Sequence, residues 1–219
     1  MILIADDHPL FREALKGCVA RLLPDAQIVE ADGAEALFAA AERHPGADLL
    51  LLDLNMPGAQ GFSALVRLRA TQPQLPIVIV SAREDPITIQ RALDHGAAGF
   101  IPKSATVATI SDAIDAVLTG GEWSPSRSRS NQGVSREEAE IAARIRELTP
   151  QQFRVLAMLS EGLLNKQIAH ALDVSEATVK AHMTAIMRKL GAHNRTQAVL
   201  MVAQLAADPD TVRPPVDED

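Results

Sequence analysis

The sequence predicts a doubly wound α/β domain with a five-stranded parallel sheet, followed by a small all-α domain of four helices. Three observations carry this. Short aliphatic runs alternate with helix-length segments through the first 120 residues, and the runs at 49–52 and 77–80 are apolar at every position. Parallel strands covered on both faces have that texture. A polar stretch then breaks the alternation at 120–133, and from Leu148 onward the apolar spacing is helical throughout.

The elements follow in order. Strands are expected at 2–5, 28–30, 49–52, 77–80 and 99–101, and helices at about 9–22, 33–44, 60–71, 85–95 and 105–118. Right-handed crossovers then bring all the strand C-termini to one edge, where open α/β sheets gather their chemistry. These elements make a first domain over 1–120. A linker spans 121–147. It opens with Ser-, Arg- and Gly-rich chain, and Ser135 with Glu138 three residues on forms a capping-box pattern for a short helix to Arg146. The helical domain covers 148–207. Thr149 and Pro150 read as N-cap and N1 of its first helix, and Gly162 ends it. Further helices are expected at 166–172, 176–190 and 195–206. The tail, 208–219, is acidic and proline-rich and is expected to be disordered.

Composition narrows the class. The chain is 47% apolar and only 3% aromatic, so its cores are aliphatic. A single Cys18 excludes an intramolecular disulfide. No apolar run suits a membrane span, and the N-terminus enters a strand directly, so the expectation is a cytoplasmic protein with no membrane partner. The net charge of −7 is uneven. Residues 1–122 hold 9 basic and 16 acidic side chains, whereas 148–207 hold 6 and 3. An acidic first half and a basic second half suit different partners.

Two strand ends concentrate acid: Asp6 and Asp7 after the first strand, Asp53 at the end of the third. Neighbouring strands bring the three carboxylates together, which is costly unless a cation neutralises them, and hard oxygen ligands suit Mg²⁺. Ser81 ends the fourth strand, and Lys103 follows the fifth. Asp53 is thereby a candidate nucleophile for phosphoryl transfer, with Mg²⁺, Lys103 and the Ser81 hydroxyl available to stabilise the phosphoryl oxygens. Single Asp residues at strand ends more often cap turns, and it is the set of five that favours chemistry.

In the helical domain, Lys180, Thr184 and Arg188 recur at i, i+4 and i+8, with Ala181 beside them. Small and basic residues on one face suit a DNA major groove. The same pattern is that of an ordinary solvated helix face.

Residues 1–119 resemble the receiver domain of two-component response regulators, a flavodoxin-like fold. The resemblance lies in Asp6-Asp7-His8, Leu51-Leu52-Asp53-Leu54-Asn55-Met56-Pro57-Gly58, Val80-Ser81-Ala82 and Gly96-Ala97-Ala98-Gly99-Phe100-Ile101-Pro102-Lys103. It implies that Asp53 accepts phosphate from a sensor histidine kinase. It also implies that Asp6, Asp7, Asp53 and the Asn55 backbone carbonyl hold Mg²⁺, and that Ser81 and Phe100 switch conformation. Pro102 precedes the lysine, where many members have proline after it. Asn55 stands where haloacid-dehalogenase-type phosphohydrolases carry an acid, so turnover of an external substrate is not expected.

Residues 148–200 resemble the NarL/FixJ (LuxR-type) helix-turn-helix, through Leu148-Thr149-Pro150, Glu161-Gly162, Asn165-Lys166-Gln167-Ile168-Ala169 and Val174-Ser175-Glu176-Ala177-Thr178-Val179-Lys180-Ala181-His182. The resemblance implies double-stranded DNA as partner and 176–190 as recognition helix, with Lys180, Ala181 and Thr184 facing bases. Lys166, Thr178, Arg188 and Lys189 then contact phosphates. Gln152 replaces the usual Glu, so the buried ion pair of the family is expected to be absent. The family dimerises through its last helix, where Ala198, Met201, Val202 and Leu205 form an apolar stripe; packing within the domain is the alternative use of that stripe. The expected function is a transcription regulator switched by phosphorylation of Asp53. In the resting chain the receiver either masks the recognition helix or holds the domain away from dimerisation. Rival readings are a phosphorylation-independent DNA binder and a regulator whose helical domain binds protein.

Overall fold

The computed structural model describes residues 1–125 and 134–206. The first domain runs β1 (Ile2–Ala5), α1 (Pro9–Leu22), β2 (Ile28–Ala31), α2 (Ala34–Arg43), β3 (Leu49–Asp53), β4 (Asn55–Met56), β5 (Ala59–Gln60), α3 (Ser63–Thr71), β6 (Ile77–Ser81), α4 (Pro86–Asp94), β7 (Gly99–Pro102) and α5 (Val107–Leu118). Five strands form one parallel sheet in the order β2-β1-β3-β6-β7. Continuous apolar runs give each central strand two buried faces. On one, Leu50, Leu52, Ile77, Ile79 and Phe100 pack with α2, α3 and α4. On the other, Leu49, Leu51, Val78, Val80 and Ile101 pack with α1 and α5.

Two features depart from the expectation. The segment after β3 is a small antiparallel hairpin, β4 with β5, so α3 begins at Ser63 rather than near 60. Pro57 and Gly58 make its turn, and the φ of +77° at Gly58 is one that glycine adopts without a Cβ clash. The Pro57 carbonyl accepts from Ala34 N at 2.9 Å, tying the hairpin to α2. The second feature is Trp123, placed by the sequence in the linker. It bridges to Gly99 in parallel register, and its carbonyl accepts from Phe100 N at 3.0 Å. Of the expected linker, 126–133 lie outside the described residues.

The second body is α6 (Arg136–Arg146), α7 (Pro150–Ser160), α8 (Asn165–Ala171), α9 (Glu176–Leu190) and α10 (Arg195–Ala206). Helices α7–α10 are the four expected of the helical domain, and α6 is the helix expected in the linker. The linker helix α6 joins the core because Ile141, Ala142 and Ile145 form one apolar face, buried with Leu156, Ile186 and Leu190. Ser135 caps α6 through Glu138 N, and Thr149 with Gln152 completes a reciprocal capping box on α7. Gly191 ends α9 in the left-handed conformation (φ +68°). The expected tail lies outside the described residues. No helix among those residues is long and apolar enough to cross a membrane.

The first domain contributes to the helical core. Val66 of α3 and Phe38 of α2 pack into it. The Phe38 and Phe153 rings meet edge to face, 5.3 Å between centroids. Arg67 of α3 donates to the Leu148 carbonyl, which fixes the start of the helical domain on the first.

Candidate acidic site and nucleic-acid face

The parallel register brings Asp6, at the end of β1, beside Asp53, the last residue of β3. Both are buried, and Asp7 is half-buried. Ligand atoms of Asp6, Asp7, His8 and Asp53 all lie within 4.8 Å of one another. Asp6 Oδ1 accepts from His8 N at 2.8 Å. Asp6 Oδ2 and Asp7 Oδ1 are buried and accept no well-aligned hydrogen bond. Each faces a nitrogen instead: Lys103 Nζ at 2.8 Å and His8 Nδ1 at 2.7 Å.

Lys103 bridges two of the acids, standing 2.8 Å from Asp6 Oδ2 and 2.9 Å from Asp53 Oδ2. Its backbone N donates to Ser81 O at 2.7 Å, so the ends of β6 and β7 are clamped where it turns inward. Burial pushes the Asp53 carboxyl above its ordinary range, and hydrogen bonding to Lys103 offsets only part of this. For Lys103 the balance is reversed. Burial lowers it, but hydrogen bonds to Asp6 and Asp53 outweigh burial and hold the ammonium charged. One ammonium does not neutralise three carboxylates, so the donor set fits a divalent cation with oxygen ligands. An open-sided pocket of about 390 Å³ above Asp53 is lined by His8, Leu10, Phe11, Asn55, Ala82 and Lys103.

Ser81 is fully buried, and its Oγ accepts from Arg83 N at 3.1 Å. Phe100 stands in its inward position. Its ring is already 0% exposed, packed with the α4 side of the core, so no inward swing remains to it in this arrangement. The physical reason is that Phe, without a hydroxyl, has nothing to gain from water at that position.

In the helical body, α9 stands on α7 and α8, with Val179, Ile186 and Leu190 buried beneath it. Lys180, Ala181, Thr184 and Arg188 are exposed, as is Lys166 of α8. Among the described residues the first domain does not cover this face. The Thr184 hydroxyl donates back to Lys180 O at 3.1 Å, and the Thr178 hydroxyl lies 2.9 Å from Ser175 Oγ at the helix cap.

Two of the expected contacts are engaged within the chain. Lys189 is not a free phosphate contact: its Nζ donates to Glu147 O and Gln152 Oε1, both at 2.8 Å. Gln152 thus keeps a buried polar link inside the domain, with lysine donating to an amide rather than to a carboxylate. The α10 stripe takes the alternative use, packing within the chain. Ala198, Val202 and Leu205 are 0, 6 and 0% exposed, and Met201 is half-buried against the same core. Their spacing faces them inward, where α6, α7 and the β5–α3 edge of the first domain cover them. Sequence reasoning missed the residues that make this cover, because their signal is long-range.

Residues 2–115 match the response regulator receiver domain family, and residues 146–202 match the LuxR family of bacterial regulatory proteins. A glycerol metabolism activator of Pseudomonas putida is 42% identical over 93% of this chain and 95% of its own. The nitrate/nitrite response regulator NarL of Escherichia coli is 30% identical over 93% and 94%. Among solved structures, RcsB of Salmonella enterica serovar Typhimurium, bound to a promoter with a beryllofluoride phosphomimetic, is 25% identical with a TM-score of 0.52. That match covers 94% of this chain and 98% of that one. The chain belongs to the response regulators that join a receiver domain to a LuxR-type helix-turn-helix domain. Proteins of this class are phosphorylation-dependent transcription regulators.

Proposed function

We propose that Asp53 is the phosphoacceptor of this chain and that its acyl phosphate controls DNA binding by α9. The observation that carries this is the triangle of Asp6, Asp53 and Lys103, closed at 2.8 and 2.9 Å at one sheet edge. A sensor histidine kinase supplies the phosphoryl group. As the Asp53 Oδ–P bond forms, the P–N bond of the donor breaks and the imidazole leaves. Asp6, Asp7, Asp53 and the Asn55 carbonyl hold Mg²⁺, which when bound neutralises charge on the phosphoryl oxygens. Lys103 pairs with the same oxygens, and the Ser81 hydroxyl turns from Arg83 N to meet them. No acid stands at Asn55 to serve an external substrate, so the chain is a regulator rather than an enzyme, acting in the cytoplasm.

Double-stranded DNA is the partner of the exposed face. Lys180, Ala181 and Thr184 face bases, while Lys166, Thr178 and Arg188 contact phosphates and set the register. A homodimer reads a two-fold site. Labelling with acetyl phosphate and Mg²⁺, wild type against Asp53→Asn, tests the acceptor. Label retained by Asp53→Asn would overturn the assignment. Operator affinity that is equal with and without beryllofluoride would remove the control.

A further inference from the structure

Arg67 of α3 is buried between the two bodies, at 5% exposure. Its guanidinium carries several N–H donors. One of them, on Nη1, reaches an acceptor, the Leu148 carbonyl. Glu42 is the acid whose charge acts on it, and the two form no ion pair among the described residues. Burial lowers the guanidinium from its ordinary range, with the field of Glu42 opposing that. A buried cation is ordinarily paired, since nothing else offsets the water it loses.

Arg67 lines a cavity of about 410 Å³ between α2, α3 and the start of α7. Phe38, Ala39 and Leu68 give the cavity an apolar wall, and the Phe38 ring is backed by Phe153. Thr149, Pro150 and Gln151 bring the first turn of α7 to it. Pro150 has no N–H to offer. Thr149 Oγ1 accepts from Gln152 N at 3.3 Å, and Phe153 N donates to Thr149 O at 2.9 Å. Gln151 N is then the amide of this turn left for a ligand, and the Thr149 hydroxyl keeps its own proton to donate. The bond to Leu148 O holds Arg67 beside this helix end, whose partial charge is positive. The other cation of the cavity, Arg154, is already paired with Glu35 at 2.8 Å.

We infer that this cavity is a ligand site for a small organic acid, with its carboxylate on Arg67 and the start of α7 and its apolar body against Phe38, Ala39 and Leu68. The fork of a guanidinium matches a carboxylate through two parallel hydrogen bonds. The volume lies within the range of small-molecule sites, and an apolar wall with a few convergent donors is their usual make-up. The site shares no lining residue with the acidic pocket around Asp53, and it needs no phosphoryl group. It gives the chain a second place at which to read a chemical input.

Calorimetry on the full chain tests this with benzoate, acetate and inorganic phosphate at one ionic strength. Benzoate should bind once per chain. Acetate, with the same charge and no ring, should bind at least about 10-fold more weakly. Arg67→Lys keeps the charge but loses the planar fork, and should weaken benzoate about 10-fold. Ala39→Leu narrows the apolar wall, leaves Arg67 in place, and should weaken benzoate as well. Glu42→Gln removes a like charge from the cavity and should tighten it. A wild type that does not bind benzoate, or variants that all bind it as the wild type does, would overturn the site. Phosphate bound more tightly than benzoate would overturn the organic-acid class. Should Arg67→Lys not fold, the remaining comparisons decide: equal affinity for benzoate and acetate, or for wild type and Ala39→Leu, overturns the inference.

Discussion

Lys103 Nζ stands 2.9 Å from Asp53 Oδ2, so a side chain beyond β7 and the proposed acceptor on β3 form one ion pair inside the acidic pocket. The lysine links two carboxylates of the pocket, and in the function proposed above it also pairs with the phosphoryl oxygens. Lys103→Ala is expected to lower metal-free stability by about 3 kcal/mol, since Asp6 and Asp53 lose the ammonium that bridges them. Mg²⁺ should restore part of that loss in urea unfolding. Labelling by acetyl phosphate should slow about 100-fold, as when one preorganised electrostatic partner is removed. Equal urea midpoints for wild type and variant in chelator would show that the pair gives no support.

Neighbouring cations on α9 have different work. Arg188 is exposed, whereas Lys189 is held by Glu147 O and Gln152 Oε1. Arg188→Ala should reduce the slope of log affinity against log salt by about 0.9, the loss of one phosphate contact. Lys189→Ala should leave the slope unchanged and lower stability by about 1–2 kcal/mol. Titration of DNA binding against salt, with a thermal melt of each variant, separates the two.

Glu138 sets a pH dependence. Its carboxyl is held below the ordinary value of 4.5, chiefly because hydrogen bonds with His95 and Arg91 outweigh burial. A depressed carboxyl contributes stability that is fully present above the unfolded value and is lost as pH falls through the folded one. Urea midpoints should therefore drop below about pH 4.5, and Glu138→Gln should flatten that drop. A slope identical in the two proteins would assign the loss to other carboxylates.

Gly99 and Trp123 give an optical test. A Cβ on Gly99 would lie 2.9 Å from the Trp123 carbonyl oxygen, a backbone atom, so the strand-like pairing must open. The chain has one tryptophan, which makes its fluorescence a clean reporter. Gly99→Ala is expected to shift emission to the red and destabilise the receiver by about 1–3 kcal/mol. Unchanged emission would mean that Trp123 does not pair in solution.

The acidic pocket was legible because its parts are local. Asp6, Asp53, Ser81 and Lys103 each lie at or just beyond a strand end, and parallel topology alone carries strand ends to one edge. The β4–β5 hairpin was not legible, since two-residue strands leave no periodicity to read. Helix α6 was visible as a helix, through Ser135 and Glu138, but its membership of the helical core was not.

What the sequence determined by itself was therefore the kind of each element and the residues at each strand end: an aliphatic sheet, an acidic pocket with one lysine, and a helix, α9, with a small and basic face. The tertiary structure decided which of two competing uses a residue serves. Ala198, Val202 and Leu205 carry the same apolar stripe whether they face a partner or their own core, and only packing shows them covered. Lys189 looks like Arg188 until Gln152 is beside it. Arg91, His95 and Glu138 lie 43 and 47 residues apart in the chain, across the linker, and meet because α4 and α6 pack. Period and spacing report which face of an element is apolar or charged, but what covers that face depends on contacts that local sequence does not encode.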